Sequence, residues 1–467
     1  MKNETTHRRE VLKILGGGAA ALGAAFAAPS LVARTAHGEL LQSEQEYGGF
    51  LVEKIAPGHG VYEYDPEVLQ PMSEKQTVFS RNVWDSAREN RPDATEDLEH
   101  DRLVVGKGRV PNQTRLDYAL QAASWATADM GGEEKQYAWT TQCGEVKNLE
   151  RLGLGRWDPV DLNMTWGDAR NAVKHAALFY GASLAGVAEL NPLWLYSDHF
   201  SPIEDDRGNV IPVVRKGERF ERTDEAWYIP ESMNRVVAMA FEEDYHAIAN
   251  SPGRIASAGV GNGYSRMANT AFFMAEFLRG LGYRALPAGN EVGLSVPMAV
   301  DAGLGEVGRL GLLITPKYGP RVRIAKVITD MPLGVDRPIR FGVREFCEVC
   351  MLCATHCPSG SITDGPRTWK GKSQSNNSGT LKWYVEGTKC FDFNGFSCSN
   401  CKRVCPFNKP NNSWLHRLTR AVIEGRVGAL DALMVKLDQA SGYGVPVEST
   451  EFWARDGSKS ITGRERM

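Results

Sequence analysis

The sequence predicts an α/β domain followed by a small cysteine-rich domain. Two observations predict it. Eight of the nine cysteines fall between Cys347 and Cys405, in two spaced groups. Ahead of them, from about 160 to 335, helix-periodic and strand-like segments alternate, which is the pattern of an α/β domain.

Taken in order, the chain opens with Thr6-His7-Arg8-Arg9-Glu10-Val11-Leu12-Lys13 and then a small, apolar stretch from Ile14 to about Ala33. Paired arginines ahead of such a stretch read as a twin-arginine export signal over residues 1–36, with cleavage near Ala33 or Ala36. About 20 uncharged residues would also span a bilayer. So much Gly and Ala makes a poor stable anchor, so the signal is the better reading. The twin-arginine route carries folded proteins, which lets cofactors be inserted first. The length of 467 residues suggests about three domains. A net charge of -3 and the lack of a long basic run give no case for nucleic-acid binding.

Residues 37–160 form a polar, loop-rich N-terminal region. Within it Asp85 to Asp101 reads as a solvated helix or surface loop, Trp125 and Trp139 as core in preference to pocket lining, and Cys143 as a free, partly buried thiol. Trp166 to Gly181 is helical, with Ala169, Val173, Ala176, Ala177 and Tyr180 near one face. Ala182 to Leu190 and Arg235 to Phe241 are strands. Gly259-Val-Gly-Asn-Gly263 lacks dinucleotide-loop spacing and reads as a segment that widens a pocket or lets backbone approach a cofactor. Ser265 to Leu281 is an amphipathic helix, and Tyr283 to Pro287 a short strand. Ser295 to Ala302 starts a helix, while Leu312 to Ile314 and Arg323 to Ile328 are strands. Asp336-Arg-Pro-Ile339 reads as a linker, and a short helical tail follows Pro410.

The cysteine groups are Cys347-x2-Cys350-x2-Cys353-x3-Cys357-Pro358 and Cys390-x7-Cys398-x2-Cys401-x3-Cys405-Pro406. The first is the bacterial ferredoxin run, in which three close thiolates clasp one cubane and the fourth reaches to another. That crossing rule assigns Cys347, Cys350, Cys353 and Cys405 to one [4Fe–4S] cluster. Cys357, Cys390, Cys398 and Cys401 then hold the second. Structural zinc sites usually lack the third close Cys and the trailing Pro. Disulfide frameworks belong mainly to short secreted chains.

Several further motifs resemble one family, the respiratory corrinoid/iron–sulfur reductive dehalogenases, which include the tetrachloroethene enzymes. They are Phe241-Glu-Glu-Asp-Tyr, Gly263-Tyr-Ser-Arg-Met267, Leu281-Gly-Tyr-Arg-Ala, Asp301-Ala-Gly-Leu-Gly-Glu306, Ile314-Thr-Pro-Lys-Tyr-Gly-Pro320 and Asp336-Arg-Pro-Ile-Arg-Phe-Gly, together with the cysteine runs. The resemblance implies a nitroreductase-like, corrinoid-binding α/β domain at 161–335, a ferredoxin-like domain at 336–412 and a C-terminal tail at 413–467. It also implies a base-off corrinoid, and no Asp-x-His-x-x-Gly ligand pattern is present. By resemblance Tyr264 matches the proton donor, Arg323 the cation beside it, Asn290 a polar residue at the halide side, and Tyr196 a corrinoid contact. Arg321 is the competitor for the Arg323 role. The chemistry is coherent: a phenol is a reluctant acid, and the anion it leaves needs a fixed cation.

The function so implied is reductive cleavage of a carbon–halogen bond in an organohalide, with electrons relayed through two clusters to the corrinoid. The partners implied are an external electron donor and a small membrane anchor protein on the outer face of the cytoplasmic membrane, and a homodimer is allowed. Two other readings compete. An epoxyqueuosine reductase should lack an export signal and carry a basic RNA-binding face. A pure electron carrier would not need some 300 residues ahead of the clusters.

Overall fold

The computed structural model describes residues 50–55, 61–85, 114–132, 163–200, 210–394, 398–409 and 428–454, with Tyr47 and short strands at 38–42, 104–105 and 108–109. The export-signal stretch, residues 86–101 of the charge-dense run, Trp139 and Cys143 lie outside the described residues.

A four-stranded sheet positions the site. Its order is Ala285–Ala288, Val322–Thr329, Arg235–Glu242, Leu184–Glu189. Every pairing in it is antiparallel, although alternating helices and strands more often signal a parallel sheet. The two central strands read as almost unbroken apolar runs because both of their faces are covered. Strand alternation sends Val237, Met239, Phe241, Ala325 and Val327 to one face. There they meet Met267, Ala271, Met274 and Leu278 of the longest helix. Arg323 shares the parity of Ala325 and Val327 and lies opposite Phe241 in the ladder. Lys326 has the other parity.

That longest helix runs from Arg254 to Gly280, so it begins well before the expected Ser265. The glycines of its first half are contact points. A Cβ on Gly261 would stand 2.5 Å from the Trp125 ring, one on Gly259 2.9 Å from the Ala247 Cβ, and one on Gly263 2.9 Å from the Arg323 Cγ. Each Gly costs about 1 kcal/mol against Ala in a helix interior. Close packing of the helix Arg115–Gly132, the segment of Ala247 and Arg323 offsets it. The Gly259–Gly263 expectation is therefore corrected: these positions face neighbouring protein. The helix Trp166–Phe179 forms as expected, with the Thr165 hydroxyl capping the Asp168 amide.

The cysteine half has its own core. Phe50, Val52, Phe341, Phe346, Trp383, Phe407, Met434 and Leu437 pack together with Cys347, Cys350, Cys353 and Cys405. Phe50 and Val52 come from the N-terminal region. The strand Leu51–Ile55 pairs with Ile339–Arg340. The stretch read as a linker is thus pinned. The Asp336 carboxylate accepts from Lys174 Nζ at 3.0 Å and from the Val187 amide at 2.9 Å. No helix among the described residues is long and apolar enough to cross a membrane.

Candidate active site

Tyr264 lies in the N-terminal half of the long helix, where the apolar stripe facing the sheet gives way to polar groups. Arg323 comes from the adjoining strand and Asn290 from the turn after Ala285–Ala288. Their side chains converge on one atom. Asn290 Nδ2 donates to the Tyr264 Oη at 3.1 Å, and Arg323 Nη1 donates to it at 3.3 Å. Because both neighbours donate, neither takes up the phenol's own hydrogen. The Tyr264 ring is also held on its faces. Trp125 stacks on it at 5.2 Å between centroids, and the Arg323 guanidinium lies 4.5 Å from its centre. Trp125 donates Nε1–H to the Ser257 carbonyl at 3.2 Å. The expectation that Trp125 is plain core is corrected, since it is a half-buried wall of this site.

Of Arg321 and Arg323, it is Arg323 that reaches the Tyr264 hydroxyl. Arg321 is buried and spends its guanidinium on the Glu242 carboxylate and the Glu243 carbonyl.

Glu243, which the sequence reading did not single out, is the anchor of the group. It is fully buried and accepts from Arg323 Nε at 2.7 Å and from Lys402 Nζ at 2.5 Å. Burial opposes its ionisation, but Lys402 and Arg323 outweigh that and hold its carboxyl below the usual range. Likewise burial works against the Arg323 charge, while Tyr264 and Glu243 act the other way and win. Lys402 immediately follows Cys401, so the tyrosine end of the site is tied to the cysteine half through one carboxylate. The signal available in sequence was Phe241-Glu-Glu-Asp-Tyr, which carries no indication of which Glu points inward.

Tyr196 is buried beneath the Asn290 turn. Its Oη donates to the Asn290 carbonyl at 3.3 Å, and its amide donates to Val292. Lys326, on the opposite face of the sheet from Arg323, donates to the Gly289 carbonyl at 2.6 Å and to the Ser295 hydroxyl at 3.0 Å. Burial pushes Lys326 down to about 8. Tyr196 and Lys326 together fix the turn that presents Asn290, which is itself exposed.

The eight cysteines are all free thiols. Their mutual electrostatic influences fall mostly within two sets, although Cys401 also acts on Cys353. Cys405 is influenced by Cys347, Cys350 and Cys353, and Cys401 by Cys390, Cys398 and Cys357. Cys390 is influenced by Cys357. Burial is the largest cause in each of these, and it pushes Cys347 and Cys401 up to about 12. The first four are buried, whereas Cys357, Cys398 and Cys401 are half-buried and Cys390 is exposed. Among the described residues no three His, Cys, Asp or Glu close around a single metal ion. A cubane holds its four thiolates further apart than one zinc ion does.

No protein-family model matches the sequence. The chain is 35% identical over 479 residues to a tetrachloroethene reductive dehalogenase of Sulfurospirillum multivorans, covering 97% of this chain and 94% of that protein. A tetrachloroethene reductive dehalogenase of Desulfitobacterium hafniense is 37% identical over 386 residues, or 72% of this chain and 70% of that one. Among solved structures, the catabolic reductive dehalogenase NpRdhA superposes with a TM-score of 0.59 at 21% identity, covering 84% of this chain. That match shows a shared mixed α/β fold, and it spans 49% of the NpRdhA chain.

Proposed function

The chain belongs to the reductive dehalogenases, oxidoreductases that cleave a carbon–halogen bond and release halide, and on that premise we propose that Tyr264 is its proton donor, with Arg323 and Asn290 as its supports. Replacing halogen by hydrogen consumes two electrons and one proton per bond and sets a halide ion free. Tyr264 supplies the proton from its Oη. Arg323 places a fixed positive charge where the tyrosinate oxygen is left, and Asn290 adds a neutral donor to the same oxygen. Glu243 aims Arg323 by holding its Nε, which leaves Nη1 for the phenol. The observation that carries this reading is the pair of donors on one phenol oxygen, with the hydroxyl hydrogen left to point at a reactant.

Two [4Fe–4S] clusters and a base-off corrinoid are the cofactors of this reading. A further solved reductive dehalogenase structure, with a TM-score of 0.59 at 21% identity, is described as suggesting a mechanism for B12-dependent dehalogenation. The corrinoid, when bound, supplies the low-valent cobalt chemistry that breaks the carbon–halogen bond. The residues present fit it in one respect: the edge formed by half-buried Tyr264 and exposed Asn290 is open rather than packed against protein. Tyr196, already bonded to the Asn290 carbonyl, stands at the base of that edge as a corrinoid contact. For the clusters, the donor set fits by number and grouping, with Cys347, Cys350, Cys353 and Cys405 on one and Cys357, Cys390, Cys398 and Cys401 on the other. The α/β part is then nitroreductase-like and the cysteine half ferredoxin-like.

The substrate is an organohalide, and the chlorinated ethene in the relatives' names is the first to test. Export by the twin-arginine signal, a place on the outer face of the cytoplasmic membrane, a membrane anchor protein, an external donor and a homodimer complete the proposal. The decisive experiment is Tyr264→Phe in reconstituted protein with a reduced viologen donor. Halide release should fall by about 10²–10⁴-fold while iron and cobalt contents stay at parent values. Retained activity would assign the proton to another group.

A further inference from the structure

Arginine cannot shed its proton inside a protein, so a buried guanidinium needs both hydrogen-bond acceptors and an opposing charge. Arg309 is 1% exposed. Its Nε and Nη2 donate to the Cys347 carbonyl at 3.1 and 3.0 Å, and its Nη1 to the carbonyls of Thr363 and Gly365 at 2.9 and 2.8 Å. The guanidinium also lies 4.6 Å from the centre of the Trp383 ring. Every one of these partners is neutral, and among the described residues no carboxylate pairs with it. Glu306, nearby in sequence, turns its carboxylate to the Phe341 and Val343 amides.

Arg403 repeats the pattern at the other cysteine group. It is also buried, and its guanidinium donates to the Gly444 carbonyl and, at 3.4 Å, to the Asn400 amide oxygen. The remaining buried cations of this half are compensated differently. Lys402 has Glu243, and Lys409 has Asp438 at 2.7 Å. Two arginines are therefore left with no carboxylate opposing their charge among the described residues, Arg309 with its hydrogen bonds met and Arg403 with its Nε unpartnered. Each stands by one set of four thiols: Arg309 against the backbone of Cys347, and Arg403 in the helical turn of Cys401, its amide bonded to the Ser399 carbonyl next to Cys398.

We propose that Arg309 and Arg403 are fixed counter-charges for the two clusters, one arginine to each, and that each raises the reduction potential of its own cluster. This rests on reading the cysteines as cluster ligands. The physical basis is direct. A cubane with four thiolates is an anion, and it gains one more negative charge on reduction. A buried positive charge beside it favours the reduced form. Arg309 serves Cys347, Cys350, Cys353 and Cys405, and Arg403 serves Cys357, Cys390, Cys398 and Cys401.

The experiment is an EPR-monitored redox titration of the reconstituted full chain, with iron analysis of every sample. The parent should bind about eight iron atoms and show two midpoint potentials. A parent with far less iron would refute the cluster reading itself, before any variant is made. In Arg309→Gln one midpoint should move to more negative potential while the other stays. In Arg403→Gln the roles of the two midpoints should be exchanged. Arg309→Lys, which keeps the charge, should hold the parent value. Two unmoved midpoints at full iron content would overturn the proposal, as would both moving together in either variant. A shift in Arg309→Lys as large as that in Arg309→Gln would also overturn it. If Arg309→Gln fails to assemble, Arg309→Lys decides alone: full iron and the parent midpoint support the proposal, and failure of the lysine variant overturns it.

Discussion

Two regions of the molecule treat the charge of their arginines differently. Beside Tyr264 the guanidinium groups are paired with carboxylates: Arg323 shares Glu243 with Lys402, and Arg321 has Glu242. Around the first cysteine group Arg309 has only carbonyls and an indole face. The surroundings differ accordingly. The Tyr264 edge is partly open, while Cys347, Cys350, Cys353 and Cys405 sit among Phe346, Phe407 and Trp383. A proton-delivering centre works best when its charges are fixed before the substrate arrives, so that no dipole must turn during the reaction. An electron-carrying centre changes its own charge, and a permanently matched cation beside it would be redundant. The seam between the two regimes is Glu243, which holds Arg323 on one side and the residue after Cys401 on the other.

Three substitutions bear on this contrast, in addition to the tyrosine and arginine variants above. The largest effect is expected for Glu243→Gln. It leaves two buried cations facing a neutral group and should cost about 3–5 kcal/mol of stability, read as a lower denaturation midpoint, and it should release Arg323 from Tyr264. A loss under about 1 kcal/mol would mean that the two halves do not differ in how they neutralise charge. Gly261→Ala comes next. In an open helix it would gain about 1 kcal/mol. Here the new methyl meets the Trp125 ring, so a loss of about 1–2 kcal/mol and a change in tryptophan fluorescence are expected. The smallest stability effect belongs to exposed Asn290→Ala, within about 0.5 kcal/mol. Halide release should nonetheless fall roughly tenfold, the worth of one hydrogen bond to a charged oxygen at about 1.5 kcal/mol. A change in both quantities would make Asn290 a structural residue.

Much of the cysteine half was legible because its chemistry is written in local spacing. The x2, x2, x3 intervals fix which thiols sit close, whatever surrounds them. The strands Arg235–Glu242 and Val322–Thr329 were legible for a similar reason, since a run of buried β-branched and small residues has few other homes. The reaction side was harder to read. Glu243 and Lys402 are 159 residues apart, and a Glu in a charged run looks like surface until its partner is placed. The start of the long helix was hidden because Gly259, Gly261 and Gly263 carry no helical periodicity and read as a pocket-widening segment, and only the packing of Trp125, Ala247 and Arg323 shows what their missing side chains make room for. Trp125 itself lies in a region with weak periodicity, so no local signal pointed it at Tyr264.

The strand Leu51–Ile55 pairs locally with Gly38–Gln42, but its other edge is met only by Ile339–Arg340, nearly three hundred residues further along the chain. During synthesis at about 5–20 residues per second, that partner emerges tens of seconds after the strand does. Phe50 and Val52 therefore wait with their apolar faces uncovered until the cysteine half exists. Closure of that half is a late, long-range event of the slow kind. Through that interval the apolar face of the waiting strand is exposed to aggregation.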